Sequence, residues 1–302
     1  MRLSLMGRAA APLIVTVSFG CGDGQAASPP RVAGSVPAPM LVSADWLARH
    51  LQAPTVVLLH VARRDSGDEE YRREHIPGAR LLTYSSFTVD EDDNLPPVGR
   101  LEELLRSLGV SNDSRVVLYG NDPISVARAW VTLDYVGHGE HSSVLNGGLT
   151  AWKGAGKPVT TEVSRNARGS FSARPQPQRI VDAAWVRSRL NAKGVAFVDT
   201  RSEEEYNGTG DAMHAPGHLP GAKLLLWRTL LESRDNPALR DSTELRRLFE
   251  AAGAAPGDTV VTYCMVGYRA SLTYFVARML GYETKLYDGS WHDWSAKTRG
   301  ER

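Results

Sequence analysis

The chain is 302 residues long, 42% hydrophobic and 23% charged, a composition that excludes disordered and collagen-like classes and suits two domains of ordinary size. Its 35 basic and 34 acidic residues leave a formal charge of +1, which gives no global field for holding nucleic acid, so no nucleic-acid partner is expected. Cysteine occurs only at Cys21 and Cys264, in settings too different for a disulfide between them to be the expected reading.

The chain opens with Arg2 and Arg8, an apolar stretch from Ala9 to Phe19 and small residues at Gly20 and Cys21, the pattern of a secretory signal and too short to span a bilayer. Val17-Ser18-Phe19-Gly20-Cys21 resembles the bacterial lipoprotein box, although Ser18 stands where that box has leucine and Phe19 where it has a smaller residue. Two readings stand side by side: a lipid anchor at Cys21, and cleavage near Ala26 that releases a soluble periplasmic protein. A cytoplasmic chain with a chance apolar start is the third. In all of them residues 1–35 fall outside the fold.

The first domain, residues 36–158, predicts a helix over Ser43–His50, a buried strand over Val56–Val61 and an extended segment at Arg80–Thr83. A helix over Leu101–Leu108, a strand over Val116–Tyr119 and a helix over Ala127–Val136 follow. Pro158–Arg179 is polar and rich in Arg, Ser and Pro, and residues 159–178 are read as a linker long enough to run along the domain surfaces. The second domain, residues 179–302, repeats the plan: helix Val181–Leu190, strand Val195–Asp199, extended Ala222–Leu226, helix Thr243–Ala252, strand Thr259–Tyr263, helix Ala270–Leu280. Strands alternating with helices imply an α/β protein, each domain a mainly parallel sheet flanked by helices.

The two halves share more than a pattern. "EHIPGARLL" at Glu74–Leu82 recurs as "GHLPGAKLL" at Gly217–Leu225. "RVVLYGNDPISVARAWVTLDYVGH" (Arg115–His138) answers to "TVVTYCMVGYRASLTYFVARMLGY" (Thr259–Tyr282), and "LNGGLTAW" (Leu145–Trp152) to "YDGSWHDW" (Tyr287–Trp294). The offsets are 143, 144 and 142 residues, so a duplication kept both order and spacing.

Cys264 follows the predicted strand Thr259–Tyr263 and precedes a helix, the point in an open parallel sheet where ligands collect. A lone cysteine after an apolar run can be a small buried hydrophobe. The neighbours argue otherwise: the helix presents unpaired amides, a setting that favours thiolate, Gly267 can take positive φ so that successive amides curl around an anion, and Arg269 adds a fixed charge. Four residues, Met265, Val266, Gly267 and Tyr268, separate thiol and arginine. Cysteine phosphatases place five there, so this loop is tighter and suits a sulfur atom carried on the thiolate better than a phosphate.

At these motifs the chain resembles the rhodanese family, specifically its tandem-domain sulfurtransferases, from Val42 to Ser295. The "HIPGA" and "HLPGA" pair, "VDTR" at Val198–Arg201, "YCMVGYRAS" and "YDGSWHDW" carry the resemblance through their order and spacing. It implies that only the second domain is catalytic and that Cys264 cycles through a persulfide. The first domain has Gly120 in place of Cys264 and Ser125 in place of Arg269, so it cannot run the reaction. The resemblance also puts Arg201 at a substrate-binding position. There it would meet the sulfonate end of thiosulfate together with Arg269 and the loop 265–268; the other reading of Arg201 is a surface pair with Glu203, Glu204 or Glu205. Asp199 is expected to order the loop or its neighbouring turns.

The mercaptopyruvate branch of the family has a Cys-Gly-Ser-Gly loop start and an R-x-R-G-T context. This chain has Met265-Val266 and Glu205-Tyr206-Asn207-Gly208-Thr209 there, so thiosulfate is the expected donor and cyanide or a thiol the acceptor. The alternatives are 3-mercaptopyruvate as donor, or a persulfide carrier serving a partner protein. His218 repeats as His75 in the half without a thiol, which gives it a structural role in the shared turn. His60 stands where the family often has aspartate and is read as packed. Trp294 is expected in the core and Trp291 along the cleft. His138 and His141 read as solvated loop residues, not metal ligands, and the expectation is a monomer with no metal and no cofactor.

Overall fold

The computed structural model describes residues 39–65, 68–89, 94–164, 167–209 and 217–299. The leader and the reading of Cys21 as a lipid anchor lie outside these residues.

The first half begins with β1 (Leu41–Val42) and α1 (Ala44–His50), the helix started by Ser43, whose hydroxyl accepts from the Trp46 amide at 3.1 Å. Next come β2 (Val56–Val61), α2 (Glu69–Arg73), β3 (Arg80–Leu82) and α3 (Val98–Ser107). The half ends with β4 (Arg115–Tyr119), α4 (Pro123–Tyr135), β5 (Ser142–Leu145) and α5 (Gly148–Gly154). The second half repeats this with β6 (Ile180–Val181), α6 (Ala183–Arg189), β7 (Val195–Asp199), α7 (Glu203–Asn207) and β8 (Lys223–Leu224). It closes with α8 (Ser242–Ala251), β9 (Thr259–Tyr263), α9 (Ala270–Met279), β10 (Glu283–Tyr287) and α10 (Ser290–Arg299).

Each half is a five-stranded sheet, in the orders β1-β5-β4-β2-β3 and β6-β10-β9-β7-β8, and all pairings between these strands are parallel. The central strands β4 and β9 are almost wholly buried, as continuous apolar runs demand when helices cover both faces. The topology also fixes where a ligand can enter. From β7 the chain steps outward to β8, then crosses back to the other side of β7 for β9 and continues outward to β10. The connections therefore diverge between β7 and β9, and the crevice opens at the carboxyl ends of those two strands.

Helices α4 and α9 join the halves. Buried residues dominate both, and one apolar cluster runs from Leu59, Val116 and Trp130 into Val198, Val260 and Phe275, so the two cores are continuous. The Trp130 and Phe275 rings meet edge-on at 5.1 Å. Buried polar ties cross the same seam: Arg128 forks onto Asp288 at 2.6 and 3.0 Å, and the Tyr274 hydroxyl donates to Asp134 at 2.6 Å.

The linker lies along the first half. Thr160 forms an antiparallel bridge with His75, Phe171 is buried against His138, and the Arg174 and Gln176 amides donate to the Val136 and Tyr135 carbonyls. This overturns the solvated reading of His138: it is 1% exposed, and burial followed by the nearby His141 lowers its pKa to about 3.

Candidate active site

Cys264 is the first residue beyond β9, at the crevice the topology opens, and is 1% exposed. The loop from Cys264 to Arg269 rests on the start of α10. Ser290, itself at φ +52°, accepts from the Cys264 amide at 3.1 Å and donates to the Tyr287 carbonyl at 2.8 Å. The Trp291 and His292 amides then donate to the Cys264 and Met265 carbonyls, both at 3.0 Å. Gly267 is required twice over. Its φ is +82°, and a Cβ there would lie 2.4 Å from Asp288 Oδ1 and 2.9 Å from the Asp288 carbonyl oxygen.

This scaffold holds the loop carbonyls and leaves its amides open. The six successive N–H groups from Met265 to Ala270 find no acceptor among the described residues, and no side chain caps α9. The matching helix of the first half is the opposite case. Asp122 caps α4, accepting from the Ile124 and Ser125 amides at 3.4 and 3.0 Å and from the Ser125 hydroxyl at 2.6 Å. In the half without a thiol the chain's own carboxylate occupies the helix start; in the half with one, no carboxylate among the described residues does so, and the amides stand open to an anion.

Arg269 reaches the Cys264 sulfur and also forks both terminal nitrogens onto Glu205, at 2.6 and 2.7 Å. Burial opposes the Arg269 charge, but Glu205 and Cys264 outweigh it and raise the pKa above the usual arginine range. Glu205 sits at the third position of α7 in a capping box with Ser202, whose amide it accepts at 3.0 Å. Burial would raise its pKa, but the Arg269 fork, the Ser202 amide and the Arg201 charge bring it down to about 2. Sequence alone offers Glu205 only as one of three surface partners for Arg201, and its place in the first turn of a helix after β7 is the signal that could have singled it out.

Arg201 is wholly buried. Its side chain is 0% exposed, and its guanidinium is held by Asp199 at 2.6 to 3.1 Å and by the Gly217 carbonyl at 2.7 Å, with the Trp291 ring 5.0 Å from its centre. It does not form a surface pair with Glu203–Glu205. Instead it joins the β7 loop to the turn at Gly217, and Asp199 is the residue that orients it. Trp291 is likewise buried, in an apolar cluster beneath the loop with Trp294 and partly buried Met265, and so does not line the cleft.

Tyr268 leaves the loop toward the first half. Its hydroxyl donates to Asp122 and lies 2.9 Å from Ser125 Oγ, Tyr84 packs edge-on at 5.5 Å, and the Arg64 guanidinium lies 5.3 Å over its ring. Tyr268 forms part of the wall of a cleft of about 1250 Å³ with Arg64, Asn121 and Asp122 from the first half and Trp227 and Arg228 from the second. Val266 is half-buried between these anchors.

The two turn histidines repeat each other. His218 stacks on Tyr206 at 3.8 Å with Nδ1 2.9 Å from the Tyr206 carbonyl, as His75 does on Tyr71 at 3.8 Å and 2.7 Å, so each closes the turn before the third strand. His60 occupies the register position of Asp199, packed edge-on against Tyr71 and Tyr119 and wholly buried. Among the described residues no cluster of His, Cys, Asp and Glu could hold a metal ion.

The chain matches the family of rhodanese-like domains over residues 43–155 and again over 182–297. It is 34% identical over 288 residues to the sulfur carrier protein TtuD of Thermus thermophilus, covering 84% of this chain and 93% of that protein. With the thiosulfate sulfurtransferase of Azotobacter vinelandii it shares 30% over 261 residues, 85% of this chain and 94% of the other. Among solved structures, SseA from Escherichia coli, described with the 3-mercaptopyruvate sulfotransferases, superposes with a TM-score of 0.72 at 27% identity, covering 84% of this chain and 99% of that one. Two sheets of one topology, a matching family span in each and similarity along nearly the whole length of these relatives place the chain in the rhodanese family of sulfurtransferases, as a tandem of two rhodanese-like domains.

Proposed function

We propose that the protein is a thiosulfate sulfurtransferase that carries sulfane sulfur on Cys264. The observation that supports this most is the row of six unclaimed amides beside a buried thiol, with Arg269 in reach of the sulfur. Such a row holds a charged sulfur and the second sulfur it acquires without needing a cation that must be desolvated.

The transfer has two steps. The Cys264 thiolate attacks the outer sulfur of thiosulfate; a sulfur–sulfur bond forms to Cys264, the bond to the sulfonate sulfur breaks, and its electron pair leaves with sulfite. Cyanide or a thiolate then attacks the outer sulfur of the persulfide, forming thiocyanate or a new persulfide and returning Cys264 as thiolate. Sulfite leaves as a stable anion, so no general acid has to protonate it, and amides with Arg269 suffice. Met265, Val266, Gly267 and Tyr268 shape the pocket, while Asp199, Arg201 and His218 hold the turns around it.

The test is steady-state sulfite release from thiosulfate with cyanide present, compared with turnover of 3-mercaptopyruvate. Sustained turnover on thiosulfate, abolished in Cys264→Ser, supports the reading; preference for 3-mercaptopyruvate overturns the donor assignment. Similarity to a protein named as a sulfur carrier favours a second reading, in which the persulfide is handed to a partner protein. A single stoichiometric burst of sulfite without turnover would select it.

A further inference from the structure

The guanidinium groups of Arg201, Arg128 and Arg269 surround the catalytic loop, and each is forked on a carboxylate: Asp199, Asp288 and Glu205 respectively. Only the Arg269–Glu205 pair has an outer edge, with side chains 24% and 18% exposed, whereas the Arg201 and Arg128 side chains are fully buried. Arg269 is thus the one cation of the three within reach of an arriving donor, and the fork a sulfonate would take is filled by Glu205. Glu205 is held in place by its own helix start, and its carboxylate keeps its charge down to about pH 2.

We propose that Glu205 is a specificity-determining residue: by neutralising Arg269 it weakens the site's hold on dianionic donors relative to monoanionic ones. The proposal rests on the sulfurtransferase reading. Its physics is that of fixed charge. A dianion feels twice the repulsion from Glu205 that a monoanion feels, and at a few ångströms in a partly buried site that difference changes affinity several-fold. The six amides serve either donor, so they do not discriminate by charge. Thiosulfate transfers its outer sulfur and releases sulfite; methanethiosulfonate, a monoanion, transfers the same sulfur and releases methanesulfinate with the bonding electron pair.

The experiment compares these two donors in the wild-type chain, in Glu205→Gln, which keeps the shape and the capping-box acceptor, and in Glu205→Asp, which keeps the charge. In Glu205→Gln the KM for thiosulfate is expected to fall about fivefold or more and that for methanethiosulfonate about twofold or less, with Glu205→Asp retaining the wild-type ratio. Equal changes on both donors, a fall in kcat with no change in the KM ratio, or the same shift in the Asp variant would overturn it. A second probe needs no turnover: inorganic sulfate should protect Cys264 from iodoacetamide at a lower concentration in Glu205→Gln than in wild type. An unchanged half-protecting concentration would overturn the role of Glu205. Absence of sulfite release by the wild-type chain counts instead against thiosulfate as donor, and sulfate protection then decides the role of Glu205.

Discussion

Replacing Arg128 by methionine tests whether the first half holds the catalytic loop in shape. The Arg128 side chain is 0% exposed, and its partner Asp288, 9% exposed, lies directly against Gly267. Methionine keeps most of the volume and leaves the Asp288 carboxylate buried without its fork. Breaking a buried pair from one side costs about 3–5 kcal/mol, because the remaining charge is uncompensated. For a chain of this size that is a fall in melting temperature of roughly 6–15 °C. Arg128→Met/Asp288→Asn removes both charges and should be more stable than the single variant, with a coupling of about 2 kcal/mol or more. Thermal and urea unfolding of the four chains read the stability cycle, and single-turnover sulfite release reads the loop. Single-turnover loading should drop in Arg128→Met at temperatures where the chain is still folded, since Asp288 is then free to move away from Gly267. A loss below about 1 kcal/mol, or an additive cycle, would refute the reasoning.

Tyr268→Phe removes the hydroxyl that donates to Asp122 and keeps the ring under Arg64; a hydrogen bond to a carboxylate contributes about 1.5–3 kcal/mol, so kcat/KM for thiosulfate should fall and the melting temperature drop by roughly 3–9 °C. Wild-type kcat/KM in that variant would show that the clamp is idle. His60 gives a pH dependence whose sign is fixed by its environment: burial, then repulsion from His75, lowers its pKa from 6.5 to about 4, so the unfolded chain takes up a proton before the folded chain does. The contribution of His60 to stability is therefore complete above pH 6.5 and is lost as pH falls from there toward 4, by roughly 2–3 kcal/mol. His60→Phe, which can keep the edge-on contacts with Tyr71 and Tyr119, should flatten that part of the urea-midpoint profile, and an unchanged slope would count against it.

The parts of the fold that were legible in the sequence are those where burial is two-sided. β2, β7 and β9 are found over the residues their apolar runs predict, because a strand with helices on both faces has no polar side to blur its ends. The edge strands β1 and β6, two residues each and paired on one side only, carry no such pattern. α4 begins at Pro123, four residues before its apolar periodicity, since the Asp122 cap and the proline at the first position start it. Within the site, the place of Cys264 followed from strand and loop alone. The partners of the arginines did not. Asp199 and Arg201, two residues apart at the end of a strand, share a face and pair there, although three glutamates follow Arg201 in the chain. Glu205 meets Arg269 across 64 positions of sequence, a contact that only the crossover between β7 and β9 brings about.

The contrast between the two helix starts leads to the sharpest test of the amide row. Asp122 and Val266 are 144 positions apart, the offset that also relates Gly120 to Cys264, so Val266 holds the place of the carboxylate that caps the first half. With the cap present, α4 is helical from Pro123; without it, the corresponding residues 267–269 remain in the loop and α9 starts only at Ala270. Val266→Asp should therefore supply from within the chain the anion that the loop otherwise takes from a donor. An aspartate cap contributes about 1 kcal/mol to a helix, so the variant should be at least as stable as the wild type. Loading of Cys264 from thiosulfate should fall tenfold or more, through competition for the amides and repulsion of the incoming dianion. Mass spectrometry of the chain after brief exposure to thiosulfate reads the persulfide directly. A Val266→Asp chain that folds and gains its extra sulfur at the wild-type rate would mean that the open amides play no part in receiving the donor.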